Sequence, residues 1–178
     1  MLSHPSYKRG FSLIELMIGV AILAILLSAV IPSFKVWIQN AKIRTAAESL
    51  KNGLQLARLE AIRRNERVFF SLVGTDSTWS VQTVAASGVP IQSRSSAEGS
   101  SNVTLTITPL NSTSATFNGL GQLTANPDGS SAITSMVVGL PTAILSTSEM
   151  RTLNIYIGTG GQIRSCDPYF PSSDPRGC

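Results

Sequence analysis

The sequence predicts an α+β protein: one long N-terminal helix, followed by short antiparallel strands that pack on its second half. Three observations carry this. Residues 11–31 form an apolar run with a single charge, Glu15. From Ser33 to about Arg67 there is no proline, and apolar or small residues recur at helical spacing. After Asn65 the period changes to two, in short runs of β-branched and aromatic residues divided by Gly, Asn and Asp turns.

The first element is the apolar run. At about 1.5 Å per residue, a helix of that length reaches roughly 30 Å, the thickness of a bilayer's hydrocarbon core. Lys8 and Arg9 precede it, which predicts that the N-terminus stays cytoplasmic. Glu15 is out of place in hydrocarbon, where a carboxylate costs about 2.5–3.5 kcal/mol and is expected to find a partner. It also lies near a helix N-terminus, where the dipole favours an acid. Pro32 removes a helical hydrogen bond and predicts a kink at the end of the run.

The second element is the amphipathic continuation, residues 33–67. Ile43, Ala47, Leu50, Leu54, Ala57 and Ala61 fall on one face, with Gly53 as an interruption. Lys42, Lys51, Arg58, Arg63 and Arg64 lie mostly off that stripe and read as a solvated or headgroup-facing surface. The formal charge of +4 is uneven: +2 over residues 1–10, −1 over 11–32, +5 over 33–67 and −2 over 68–178. The basicity belongs to the leader and the helix, so the high pI is a poor argument for nucleic-acid binding.

Residues 68–178 form the globular part. Strands are expected at 67–73, 79–84, 103–108, 115–117, 133–138, 153–157 and 162–166, about seven in all. Residues 85–101 read as a loop around a short extended piece at Val89-Pro90-Ile91. Asn118-Gly119, Asn126-Pro127-Asp128-Gly129 and Gly158-Thr159-Gly160-Gly161 read as turns. An antiparallel sheet or two against the helical stripe would bury both. Cys166 and Cys178, a lone close pair in an exported chain, read as one disulfide. The alternative is two free thiols in a cytosolic protein.

The apolar run lacks the small-residue cleavage site that follows an ordinary secretory signal. Instead, Lys8-Arg9-Gly10-Phe11-Ser12-Leu13-Ile14-Glu15-Leu16 resembles the class III signal of type IV prepilins. That resemblance implies cleavage between Gly10 and Phe11 by prepilin peptidase, and N-methylation of Phe11. It also implies a role for Glu15 in filament assembly, paired with the free amine of a neighbouring subunit's Phe11. Residues 1–10 are then a removed leader and 11–32 a transmembrane helix segment. Leu56–Asn65 and Phe117-Asn118-Gly119-Leu120-Gly121 are similar to the FimT/GspH group of minor pilins and pseudopilins. Membership implies a pilin-like fold and a single pass through the bacterial inner membrane, with residues 68–178 periplasmic. It implies assembly with other minor and major pilins into a type IV pilus or a related pseudopilus. The GspH-type pseudopilin of a type II secretion system is an alternative within the same group.

A second alternative is a DNA-binding pilus-tip protein. Some FimT-type minor pilins bind DNA in natural transformation through a C-terminal Gly-Arg-x-Arg phrase near the disulfide. The matching positions are Gly161-Gln162-Ile163-Arg164, so Arg164 is present and Gln162 replaces the first arginine. Arg176, between the cysteines, is the other candidate contact, with Asp167 and Asp174 in the same loop. No enzymatic role, metal or cofactor is expected. His4, the only histidine, lies in the leader, and two cysteines make an incomplete zinc site. Neither glycine cluster has the Rossmann spacing.

Overall fold

The computed structural model describes residues 11–86 and 88–178. One helix and nine strands follow in order: α1 (Leu13–Arg64), β1 (Val68–Leu72), β2 (Trp79–Thr83), β3 (Pro90–Arg94), β4 (Thr104–Thr108), β5 (Ser114–Phe117), β6 (Leu123–Thr124), β7 (Ser135–Gly139), β8 (Leu153–Ile157) and β9 (Ile163–Cys166). The class is α+β. The chain divides into two compact units, one ending at Trp37 and the other running Ile38–Cys178.

In the first unit the helix begins at a cap. The Ser12 hydroxyl accepts the Glu15 N–H at 3.2 Å, satisfying an orphan donor of the first turn. Every large apolar side chain from Phe11 to Ile31 is exposed. Among the described residues no single helix is long and apolar enough to cross a membrane, but Leu13–Ser28 and Ser33–Arg64 qualify together as a pair with a break between them. The break falls at the four residues that end in Pro32.

In the second unit, the predicted stripe is the buried face of the helix. Ile43, Leu50, Leu54, Ala57 and Ala61 are fully buried and Ala47 nearly so, joined by Ala46 and Ser49. The helix stops at Arg64, three residues short of the expected end. Asn65 takes a left-handed φ of 51°, its N–H bonds the Ile62 carbonyl, and the Glu66 N–H bonds that of Ala61. These two bonds form a Schellman end, for which asparagine is the second-best residue after glycine.

Two antiparallel sheets face this helix, with strand orders β3-β2-β1-β5-β6 and β4-β7-β8-β9. In the first, Val68, Phe70 and Leu72 of β1 alternate inward beside Trp79 and Val81 of β2. In the second, Met136, Val138, Ile155 and Ile157 do the same. Two strands more than expected are present. β3 is an edge strand starting at Pro90, where the missing N–H costs no ladder bond. Its Gln92-Ser93-Arg94 shows no apolar alternation because one side of an edge strand is left to solvent. β6 has only two residues, too short for any period.

Gly53 is where the helix meets the first sheet. A Cβ there would lie 2.9 Å from both the Phe70 and Trp79 rings. Those rings stand 5.9 Å apart, and the Trp79 indole N–H donates to the Ser49 hydroxyl at 2.8 Å, fully buried. The interruption in the stripe is thus a site of close approach.

A second junction ties the sheets together. The Arg58 Nε donates to the Gly121 carbonyl at 3.1 Å, and the Leu123 N–H to the Thr159 carbonyl at 3.0 Å. Gly161, with φ 78°, packs against the Gly121 carbonyl so closely that a Cβ would collide with that oxygen. The hairpins at 118–121 and 158–161 therefore meet backbone to backbone.

Alanine favours helix over glycine by about 1 kcal/mol. Gly53→Ala should nevertheless destabilise the protein by about 1–3 kcal/mol, because the rings have to move. Gly161→Ala should cost more, roughly 3 kcal/mol, since a backbone carbonyl cannot rotate away as a side chain can. Urea denaturation followed by tryptophan fluorescence measures both. A Gly53→Ala variant more stable than wild type would show that the rings do not limit the approach.

Candidate functional site

Two regions hold the candidate residues, one in each unit. At the N-terminal end Phe11 is 84% exposed, and Glu15 lies in the first turn of α1. Ser12-x-x-Glu15 is a capping-box pattern, a helix-start signal that the prepilin resemblance overshadowed. Among the described residues the Glu15 carboxylate enters no ion pair. Gly10, on the other side of the expected cleavage site, lies outside the described residues. Beyond the apolar run, Phe34 and Trp37 stack with centroids 5.7 Å apart, both exposed.

The second region is the C-terminal loop. Cys166 and Cys178 form a disulfide with Cα atoms 5.1 Å apart. The loop is built from within as well. The Asp167 N–H donates to the Arg176 carbonyl at 2.7 Å, and Asp167 pairs with Gly177 as a parallel bridge. Gly177 packs against the Pro171 carbonyl, where a Cβ would collide.

Both arginines singled out in the sequence belong to this loop's framework. Arg164, on β9, donates through Nη2 to the Gly177 carbonyl at 2.7 Å. Arg176 binds Asp174 through Nη2 at 2.9 Å and through Nε at 3.1 Å, while its guanidinium lies 4.0 Å from the Phe170 ring centroid. The structure brings the two to one loop, but each guanidinium is engaged inside it. Arg176 holds the Asp174 carboxyl down to about 2, by its side-chain and backbone hydrogen bonds.

Three of the helix cations also reach across the domain. Besides Arg58, Lys42 donates to Ser101 at 3.3 Å and Lys51 to Ser165 at 3.4 Å. Only Arg63 and Arg64 of that set remain on the helix surface, both paired with Glu60. Spacing showed that these residues lie off the stripe, but it could not show that loops of the sheets come up beside them.

Because the folded pKa of Asp174 is depressed from 3.8, the ion pair's contribution is complete above that value. It is lost as pH falls toward about 2. Carboxyl-carbon NMR should find the Asp174 midpoint near 2 in the wild type and raised toward 3.8, without reaching it, in Arg176→Gln, because the backbone N–H of residue 176 still donates to the carboxylate. An unchanged midpoint in the variant would show that Arg176 is not the cause.

Comparison with known proteins adds the family. The model of the type II transport protein GspH matches residues 46–161, more than half of the chain. The prokaryotic N-terminal methylation motif matches residues 5–31. No curated protein matches. The type IV minor pilin FimU of Pseudomonas aeruginosa is similar in two crystal forms. One is 25% identical, with a TM-score of 0.48 over 76% of this chain and 98% of that one. The other is 24% identical, with a TM-score of 0.49 over 76% of this chain and 94% of that one. With the end of the helix, the hairpin junction, the first sheet and three strands of the second inside residues 46–161 and a methylation motif ahead of them, this chain belongs to the GspH family of type IV minor pilins and pseudopilins.

Proposed function

We propose that this protein is a minor pilin subunit that primes or joins assembly of a type IV pilus or related pseudopilus. Cleavage between Gly10 and Phe11 by prepilin peptidase and N-methylation of Phe11 come first. The observation that carries the reading is the N-terminal helix segment: a methylation motif opens it, and every large apolar side chain from Phe11 to Ile31 is exposed. Such a surface is incompatible with water and needs either lipid or the same surface of other subunits. The inner membrane would hold it before assembly and other pilins afterwards, with residues 68–178 on the periplasmic side.

Glu15 fits an assembly role. It lies in the first helical turn, and an amine at a neighbouring subunit's Phe11 would pair with it within the apolar bundle. The family is structural rather than enzymatic. A pseudopilus of a type II secretion system is the second reading, favoured by the description of the matching family. DNA binding through Arg164 and Arg176 would have to compete with the loop contacts both now make.

Epitope-tagged protein in its own bacterium, separated into membrane and sheared-filament fractions, tests the assignment. Wild type should appear in both fractions, with a mature N-terminus at Phe11 heavier by one methyl group. Glu15→Ala should insert and be cleaved, yet fall at least about tenfold in the filament fraction. Normal incorporation of Glu15→Ala would remove the assembly role from this residue. A secretion defect with intact pili on deletion would assign the chain to the secretion pseudopilus.

A further inference from the structure

A groove of about 780 Å³ opens in the second unit, between the start of its helix and the disulfide loop. The assembly role uses none of it. Arg44, Arg151, Arg176, Asp167, Tyr169 and Phe170 are among its lining residues.

Arg151 is held in place from two sides. Asn40, on the helix, accepts the Arg151 backbone N–H at 2.8 Å and donates to the Glu149 carbonyl at 2.9 Å. The Arg151 guanidinium lies 4.7 Å from the Tyr169 ring centroid. Arg44 stands one helical turn beyond Asn40 and is exposed. Among the described residues neither Arg44 nor Arg151 enters an ion pair, whereas Arg176 has Asp174 at 2.9 Å.

We propose that this groove binds an acidic peptide segment of a partner protein, with Arg44 and Arg151 each holding a carboxylate. A guanidinium fork matches a carboxylate with two parallel hydrogen bonds, and a stacked arginine is pre-organised for it. Leu153 and Pro175 give the walls an apolar part suited to the side chains between two acids. A nucleic acid fits less well. Its affinity comes from neutralising a run of phosphates. Here Asp174 already neutralises Arg176, and Asp167 adds negative charge to the lining. Bases stack on open ring faces, while Tyr169 and Phe170 each have a guanidinium over the ring.

The test is fluorescence anisotropy on the full chain in detergent, with a labelled peptide of alternating Glu and Gly at low salt. Wild type should bind it saturably. Arg44→Gln and Arg151→Gln should each weaken binding about tenfold or more. Arg63→Gln, whose side chain pairs with Glu60, should bind as wild type does. Near-UV circular dichroism verifies that each variant is folded; because the two substitutions sit on different elements, failure of one to fold leaves the other decisive. Absence of saturable binding would overturn the proposal, as would equal weakening by Arg63→Gln. A single-stranded oligonucleotide of equal charge that binds more tightly would overturn it too, and would assign the groove to nucleic acid.

Discussion

The approach of the helix backbone at Gly53 to the rings of Phe70 and Trp79 sets the spacing for the rest of the domain. A helix can come this near a sheet only where one of them lacks a side chain. The indole–hydroxyl bond from Trp79 to Ser49 then fixes the rotation of the helix, because one buried donor has one acceptor within reach. With depth and rotation set, the helix acts as a ruler. Asn40 meets the 149–151 segment near one end and Arg58 meets the Gly121 hairpin near the other. Those residues are about 27 Å apart along the axis at the usual rise. The second sheet is thus tied to the helix through Asn40 at one end and, at the other, to the first sheet's hairpin through the Leu123–Thr159 bond.

The N-terminal third was highly legible in the sequence, for a physical reason. A membrane-length apolar run, a basic flank and one misplaced acid are extreme features, and few other structures use them together. The helical stripe was legible because a rigid rod against a sheet imposes strict periodicity on the buried residues. Legibility fell where a residue's role depends on something far away in the chain. Gly53 looked like a flaw until Phe70 and Trp79 were placed over it. Lys42, Lys51 and Arg58 looked solvated because period alone does not say which loops rise beside a helix. β3 was legible only in part, as a short extended piece at Val89-Pro90-Ile91: an edge strand makes few demands on its side chains. The disulfide followed from the cysteine count, but the engagement of Arg164 and Arg176 in its loop did not. That engagement rests on backbone carbonyls, which every sequence possesses.

The distribution of charge takes on a different meaning in the folded chain. Residues 33–67 carry most of the positive excess, yet three of those cations bridge to the sheets and two share a single glutamate. Part of the basic character of the helix therefore fastens loops. On the proposed readings, the charges left for partners are Glu15 in one unit and Arg44, from the same basic stretch, with Arg151 in the other. Opposite signs at separate places suit a subunit that must meet several neighbours, each through a different surface.

The small residues of the buried stripe leave a further mark. Ala46, Ala47, Ala57 and Ala61 lose no rotamer freedom on burial, so this interface forms at little side-chain entropy cost. They also have only a methyl left to trim, and glycine would cost the helix about 1 kcal/mol. Sequence drift at these positions otherwise runs toward larger side chains, and such steps push against packed strands. The face is thus a hard wall in sequence space, while the apolar run before it can exchange Leu, Ile and Val freely. A lineage of such subunits would diverge quickly along the exposed apolar half of the helix and slowly along the sheet-facing half.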